Sequence, residues 1–253
     1  MMQRRHLASL ALAVAAGAMA TTARAAAVRN IVIVHGALAD GSGWRRVADI
    51  LGARGLNVTV VQQPITSLAE DVAATRRVLD LQQGPTILVG HSYGGMVITE
   101  AGHHEAVAGL VYVAAFQPDR GESLIGLASG TPPAGQGIRE TRDGQYFYLD
   151  PAAFHADFAA DLPRAETDFL ARSQVFAAKA AFTSAAGEPA WRSKRSWAVV
   201  ATEDRSINPE LERRMARRAG STVTEIAASH AVFASQPEKV AAVVEAAAQG
   251  AGR

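Results

Sequence analysis

The sequence has no cysteine among its 253 residues, which excludes a disulfide bond, a thiol nucleophile and a thiolate metal ligand. Charged residues make up 19% of the chain and are nearly balanced in sign. The first 25 residues carry three arginines and no acid, which leaves 22 basic against 24 acidic residues in the remainder. Nucleic-acid binding depends on clustered lysine and arginine that neutralise phosphates, so this balance gives no reason to expect it.

The apolar stretch near the N-terminus, residues 7–20, is short for a transmembrane helix and is diluted with alanine and glycine. It follows the pair Arg4-Arg5 and precedes the small residues Ala23 and Ala25. This layout is typical of a secretory signal peptide, residues 1–25, cleaved after Ala25. It predicts a periplasmic or secreted protein with no stable membrane insertion. An uncleaved anchor or a disordered extension also fits, and the arginine pair leaves the twin-arginine route open.

From residue 29 onward, short β-rich runs alternate with helical segments. Six runs are interpreted as strands: NIVIVHG, NVTVVQQP, TILVG, AGLVYVAAF, SWAVVATED and STVTEIAAS. Alternation of this length predicts a single α/β domain over residues 26–253. Its six-stranded, mostly parallel sheet should be covered by helices on both faces. Capping residues at Ser67, Asn208 and Ser235 predict three of the helix starts.

The alternation is interrupted after Phe116, where proline and glycine break the pattern as far as residue 192. Six of the eight phenylalanines lie between Phe147 and Phe182, so this segment is not a solvated linker. We predict a helical cap over residues 117–192, inserted over one edge of the sheet. The phenylalanines fit either an apolar substrate pocket or the cap's own core.

A serine follows the third predicted strand within Gly90-His91-Ser92-Tyr93-Gly94, which fits the pattern G-x-S-x-G between a strand and a helix. The sharp turn strains the serine backbone, and side chains two positions away on either side would clash with neighbouring backbone. Glycine at both positions removes those clashes, so the hydroxyl of Ser92 should be exposed at the carboxyl end of the sheet. We interpret Ser92 as a nucleophile, the alternative being a serine that only caps the helix.

A serine hydroxyl needs a base to take its proton, so one of the seven histidines should serve that role. The other six lie in the signal peptide (His6), at the first strand's exit (His35), beside the serine and directed away from it (His91), at a helix end (His103, His104) and in the cap (His155). His230 lies in a loop directly after the last predicted strand, at the carboxyl edge. His230 is therefore the predicted base, the alternative being a histidine that only packs or caps.

A carboxylate at the same edge should orient the histidine and stabilise its charged form. Glu203 and Asp204 end the strand SWAVVAT there. Adjacent residues of an extended segment point in opposite directions, so one of the two can face the histidine. We predict Asp204, which lies just beyond the strand, with Glu203 as the alternative.

The oxyanion of a tetrahedral intermediate needs two hydrogen-bond donors. The amide of Tyr93 can supply one, and the amide of Ala37, after the first strand, can supply the other. Gly36 allows close backbone approach there, and we expect His35 to brace the loop through hydrogen bonds. Three residues beside these loops are predicted to line the substrate pocket: Leu38, Ile207 and Val232.

Four segments in order, VHGALADGSGW, LVGHSYGGMV, VVATEDRSINPE and SHAVFASQPEKVA, resemble those of α/β-hydrolase-fold esterases. They are similar to a bacterial group of small hydrolases related to the plant methyl-ester esterases and hydroxynitrile lyases. The order serine, aspartate, histidine is also that of α/β-hydrolases. The resemblance implies a six-stranded core. It favours an esterase, since the related lyases carry threonine at the position of Gly36 and lysine at that of Ala231.

These residues together predict a serine hydrolase that cleaves small-molecule carboxylic esters with no cofactor or metal. Within the same fold, Ser92 excludes the dehalogenases and epoxide hydrolases that use an aspartate nucleophile. Amidase, lactonase or perhydrolase chemistry remains open, because the same residues serve every acyl transfer. The remaining alternative is a non-catalytic binding protein of the same fold. Such a protein would not need the serine, the histidine and the carboxylate at these positions.

Overall fold

The computed structural model describes residues 27–251, so the predicted signal peptide lies outside the described residues. The strands within that range are β1 (Asn30–Val34), β2 (Asn57–Val61), β3 (Thr86–Ser92), β4 (Val107–Ala115), β5 (Ile138–Glu140), β6 (Tyr146–Leu149), β7 (Ala177–Ala178), β8 (Arg195–Ala201) and β9 (Thr222–Ile226). The helices are α1 (Arg45–Ala53), α2 (Leu68–Leu79), α3 (Gly94–Ala101), α4 (Leu124–Gly130), α5 (Pro151–Phe158), α6 (Arg164–Ser173), α7 (Lys179–Thr183), α8 (Pro209–Ala219), α9 (Val232–Ser235) and α10 (Pro237–Ala251). Short 3₁₀ turns lie at Gly41–Trp44 and Ala190–Arg192.

Six strands form one parallel sheet in the order β2-β1-β3-β4-β8-β9. Every residue of β1 and β3 is buried. Successive side chains of a strand point to opposite faces, so burial at every position means that both faces are covered. The predicted six-stranded α/β architecture is confirmed. No helix within residues 27–251 has the length and apolar character needed to cross a membrane.

Two of the three predicted helix caps form as expected. The side chain of Ser67 accepts a hydrogen bond from the amide of Glu70 at 3.2 Å, and Asn208 caps α8 in the same way. The cap predicted at Ser235 is wrong, because Ser235 ends the short helix α9 and its buried hydroxyl has no partner among the described residues. Helix α10 begins instead at Pro237, whose fixed φ and missing N–H suit the first helical position.

The segment between β4 and β8 holds four helices, α4 to α7, and a second, three-stranded antiparallel sheet of β5, β6 and β7. The sequence predicts a helical cap with a turn at Asp143-Gly144 for this segment, and the structure adds this sheet, whose hairpin contains that turn. The turn between β5 and β6 passes through Gly144 at φ +67°, a conformation that favours glycine. The aromatic run of β6 follows directly, and residues of this kind pair well on a pleated surface.

The carboxyl ends of parallel strands meet at one edge of the sheet, and the predicted site residues follow four of those ends. Ala37 comes after β1, Ser92 ends β3, Asp204 comes after β8 and His230 comes after β9. The fold therefore brings together residues that lie up to 193 positions apart in the chain, since Ala37 and His230 line the same cavity.

Candidate active site

Ser92 stands at a strained point of the backbone, with φ at +52°, in the left-handed region that residues other than glycine rarely adopt. The glycines around it make this turn sterically possible. A Cβ on Gly90 would lie 2.6 Å from the carbonyl oxygen of Gly94, and a Cβ on Gly94 would lie 2.5 Å from that of Val34. Strain held at one residue by packed neighbours is typical of a functional site.

His230 and Asp204 form a buried pair at the same edge. Nδ1 of His230 donates to Oδ2 of Asp204 at 2.5 Å, and each side chain is 1% exposed or less. The other carboxylate oxygen, Oδ1, accepts from the amides of Ser206 at 2.7 Å and Ile207 at 2.8 Å. Glu203 is exposed, so Asp204 is the acid that faces the imidazole. With Nδ1 protonated by this pairing, Nε2 is left as the basic nitrogen.

One cavity is lined by Ser92, His230, Ala37 and Tyr93. Much of the remaining lining is apolar: Leu38, Phe116, Leu124, Phe158, Phe182 and Ile207. The structure therefore places the predicted nucleophile, base and both oxyanion residues together, along with the predicted pocket residues Leu38 and Ile207. Phe158 and Phe182 come from the cap, so part of the cap's aromatic content lines the cavity.

Val232 does not line this cavity, and that part of the pocket prediction fails. It begins α9, which packs against the Gly41–Trp44 turn and against β4, and its side chain is fully buried in the core. Because the chain turns into a helix immediately after Ala231, Val232 joins the core and not the loop surface.

The other polar groups of the cavity wall are Asp157, Arg205 and Ser206, which bond to one another. The Ser206 hydroxyl donates to the backbone carbonyl oxygen of Asp157 at 2.7 Å, and Nε of Arg205 lies 3.4 Å from the side-chain carboxylate of Asp157. The same carboxylate accepts from the amide of Gly137 at 2.9 Å. These bonds join the cap to the loop after β8. The predicted nucleophile Ser92 and the predicted base His230 lie in the same cavity, whose remaining wall is largely apolar.

His35 braces the loop that carries Ala37. The amide of Gln63 donates to Nε2 of His35 at 3.4 Å, so the proton sits on Nδ1, which donates to the carbonyl oxygen of Gly36 at 2.8 Å. The Gln63 side chain donates in turn to the carbonyl oxygen of His35 at 2.6 Å. Burial lowers the pKa of His35, which keeps it neutral in this role.

His91 has a contact that the sequence pattern did not predict. Its Nε2 donates to the carbonyl oxygen of His230 at 3.0 Å, and the two imidazole rings lie 4.6 Å apart between centroids. Burial, with the neighbouring His230 as a second cause, lowers the pKa of His91 well below its usual range. The neutral ring therefore supports the backbone of His230. A polar residue inside the buried run TILVGHS was the available signal.

Tyr93 is anchored from behind by a buried carboxyl group. Its hydroxyl donates to Oδ2 of Asp71 at 2.6 Å, while Oδ1 accepts from the amide of Ile65 at 2.8 Å. Ile65 has φ at +53°, so this carboxyl also holds a strained loop. Burial is the main cause that raises the pKa of Asp71 to about 6, against the opposing effect of the Tyr93 hydrogen bond.

The raised pKa of Asp71 predicts a stability change with pH. Its folded value of about 6 exceeds the ordinary value of 3.8, so the folded state holds the proton more tightly and loses stability as pH rises through that window. Asp71→Asn has no such proton to lose. Its unfolding free energy relative to wild type should therefore be higher at about pH 7.5 than at about pH 4, by on the order of 2 kcal/mol. Urea unfolding at both pH values measures this difference.

Glu70→Gln, at the exposed acid beside Asp71, is the matched control and should show little such change. A difference between Asp71→Asn and wild type that stays constant with pH would contradict this assignment of the buried carboxyl.

Among residues 27–251, no cluster of three or more histidine, aspartate or glutamate side chains has the arrangement needed to hold a metal ion. The chemistry available at this edge is that of a hydroxyl, an imidazole, a carboxylate and backbone amides.

Comparison with known proteins gives the same class as the geometry. Residues 31–243 match the alpha/beta hydrolase family, and the chain belongs to that family. A pyrethroid hydrolase of Sphingobium wenxiniae is 29% identical over 86% of this chain and 86% of its own length. A carbendazim hydrolyzing esterase of a Nocardioides species is 38% identical over 39% of this chain, and the match spans 46% of that relative.

Solved structures agree on the fold. The crystal structure of a pyrethroid hydrolase from Sphingobium faniae superposes with a TM-score of 0.76 at 25% identity, covering 88% of this chain and 98% of its own. Polyneuridine aldehyde esterase has a TM-score of 0.76 at 17% identity over 87% of this chain and 98% of its own, which is a likeness of fold alone. The relatives are named esterases and hydrolases, and they support a hydrolase function for this chain.

Proposed function

We propose that this protein is a serine hydrolase that cleaves carboxylic esters through an acyl-enzyme. The observation that carries the proposal is the buried His230–Asp204 pair, whose imidazole shares a cavity with the strained Ser92. A hydroxyl activated by an imidazole, with a carboxylate behind it, is the arrangement that acyl transfer to serine needs.

The reaction follows from these positions. Nε2 of His230 takes the proton of Ser92 as Oγ attacks the ester carbonyl carbon, and Asp204 stabilises the imidazolium that forms. The amides of Tyr93 and Ala37 donate to the oxyanion. His230 then gives its proton to the leaving alcohol, which departs from the acyl-enzyme. Water repeats the same steps, and the carboxylic acid and free Ser92 are released. No step needs a cofactor or a metal.

We further propose a small, uncharged, largely apolar ester as the substrate. The cavity wall is apolar, and its charged pair, Asp157 and Arg205, is already mutually engaged. A charged substrate group would lose its hydration there without gaining a free partner. The relatives' names, which refer to a pyrethroid and to carbendazim, are consistent with a small organic ester substrate.

Covalent labelling tests the nucleophile. A fluorophosphonate should react once with the protein, and mass spectrometry of the digest should place the adduct on Ser92. Ser206→Ala, a second serine of the same cavity, is the matched control and should still be labelled. Labelling that persists in Ser92→Ala would overturn the proposal, as would no labelling of a folded wild-type protein.

A series of p-nitrophenyl esters of increasing acyl length, with the matching p-nitroanilides, tests the substrate class. We expect ester turnover, and the change in rate with acyl length should show how long a chain the apolar cavity accommodates. Faster cleavage of the anilides than of the esters would instead identify an amidase.

We also propose that the protein is exported, with residues 1–25 removed. The support is the sequence layout described above. Expression in a bacterium, followed by fractionation and intact mass, tests it. A mature chain beginning at Ala26 outside the cytoplasm is expected, and a cytoplasmic chain that retains Arg4-Arg5 would contradict it.

A further inference from the structure

Helix α8 buries a carboxyl group that the proposed mechanism does not use. Glu212 lies near the start of α8 and is 3% exposed, whereas Glu210 in the same turn lies at the surface. Acidic residues in a first turn usually face water, where they interact favourably with the helix dipole. Glu212 instead lies on the inner face of the helix, at helical spacing from the buried residues Met215 and Ala216.

The described residues give Glu212 too few donors for an ionised carboxylate. Oε2 accepts a long bond from the amide of Ala201 at 3.3 Å, and buried Oε1 accepts from no donor among residues 27–251. The adjacent cation, Arg213, is engaged elsewhere, with both nitrogen–oxygen distances to Glu225 at 2.9 Å. A carboxylate buried with one weak bond would be strongly destabilising, so the group keeps its proton.

The proton has an acceptor beside it, because Glu212 and Asp204 meet at Ala201. The amide of Ala201 donates to Oε2 of Glu212 at 3.3 Å, and the amide of Asp204 donates to the carbonyl oxygen of Ala201 at 3.2 Å. The two carboxyl groups are near enough for a hydrogen bond between them. Asp204 already accepts three bonds, from two amides and from His230. An ionised carboxylate offers about four acceptor positions, so one remains. Two buried carboxyl groups that share a hydrogen bond do not both ionise, and one proton between them satisfies both groups.

Electrostatics agree with this geometry. Burial first, and the charge of Asp204 second, raise the pKa of Glu212 well above its usual range. The charged groups acting on it are Asp204, in the loop after β8, and Arg213, on its own helix. Arg213 lowers the pKa of Glu212 and has the weakest influence on it of these groups. Beyond Asp204, His230 is the next titratable group in the chain of contacts.

We propose that Glu212 is a positioning residue of the active site, a neutral carboxylic acid that donates a hydrogen bond to Asp204. It fixes the carboxylate that orients His230 and withdraws part of the negative charge that the imidazole experiences. The expected effect of Glu212 on turnover rests on the proposed function, in which Asp204 and His230 act in ester hydrolysis. The protonation of Glu212 does not depend on that function.

Two variants of similar shape separate donation from packing. Glu212→Gln keeps a donor, and its kcat/KM should stay within about threefold of wild type, since the amide N–H replaces the acid O–H. Glu212→Leu removes the donor and should lose about tenfold or more. Without the donor, Asp204 stabilises the charged imidazole more strongly. The acidic limb of the kcat/KM profile of Glu212→Leu should therefore move to higher pH, while that of Glu212→Gln stays in place.

The proton itself is measured by infrared spectroscopy. The difference spectrum between wild type and Glu212→Gln at neutral pH should contain the C=O stretch of a protonated carboxylic acid, whether or not esters are cleaved. A carboxylate band in its place would overturn the proposal, as would a Glu212→Leu enzyme with an unshifted acidic limb. If Glu212→Leu does not fold, the infrared band and the activity of Glu212→Gln decide the question.

Discussion

Ser92→Ala should lower the turnover of an activated ester by roughly 10⁴ to 10⁶ while leaving the fold intact. In the proposed mechanism the hydroxyl oxygen of Ser92 is acylated, and alanine has no oxygen that could bond to the carbonyl carbon. Ser92 precedes helix α3 and has a left-handed backbone conformation, which costs alanine about as much conformational energy as serine. Steady-state kinetics with a p-nitrophenyl ester measure the loss, and circular dichroism checks the fold.

The double variant with His230→Ala sharpens this prediction. Nucleophile and base act as one unit, so the two losses should not add, and the double variant should be about as slow as either single one. Ser206→Ala, which removes a hydroxyl from the same cavity wall, should change turnover by less than about tenfold. Near-full activity of Ser92→Ala would show that the serine is not the nucleophile.

Much of the fold could be predicted because the sequence pattern is local and repeated. Buried strands such as β1 and β3 are continuous apolar runs, and the helices between them carry recognisable caps at Ser67 and Asn208. The alternation of strands and helices along the chain then implies a parallel sheet, and in a parallel sheet the carboxyl ends of the strands lie at one edge. The grouping of Ser92 with His230 follows from that topology, without any knowledge of contacts.

The features that the sequence did not predict depend on contacts between distant segments. Ser235 has the spacing of a cap, but the short helix α9 places it at a helix end and Pro237 opens the next helix. Val232 stands beside a predicted catalytic loop, and the same short helix directs it into the core.

His91 and Glu212 are single polar residues whose neighbours, the backbone of His230 and the side chain of Asp204, come from the loops after β9 and β8. The sequence did contain a signal for Glu212. It precedes Met215 by three positions and Ala216 by four, so the helical repeat places this charged residue on the apolar face of α8. Spacing of this kind predicts burial, whereas the partner that makes burial tolerable comes from another part of the chain.

The second large effect is expected for Asp204→Asn, which should lower turnover by roughly 10³ to 10⁴. Oδ1 of Asp204 accepts from the amides of Ser206 and Ile207, so asparagine must keep its oxygen on that side. Its NH₂ group then faces Nδ1 of His230, which lies 2.5 Å from the present Oδ2. Nδ1 would become an acceptor and Nε2 would carry the proton, so the imidazole could no longer take a proton from Ser92.

Glu203→Gln is the matched control, because it makes the same change of charge one residue earlier in the chain, at an exposed side chain. Its turnover should stay within about threefold of wild type, since exposed charges interact weakly across water. Kinetics of both variants on one ester, with the proton on Nδ1 or Nε2 identified by NMR of the histidine ring, test the tautomer argument directly. A large loss in Glu203→Gln together with a small one in Asp204→Asn would assign the acid to Glu203. Equal small losses would mean that His230 is oriented by packing against His91 and Phe158 and not by a carboxylate.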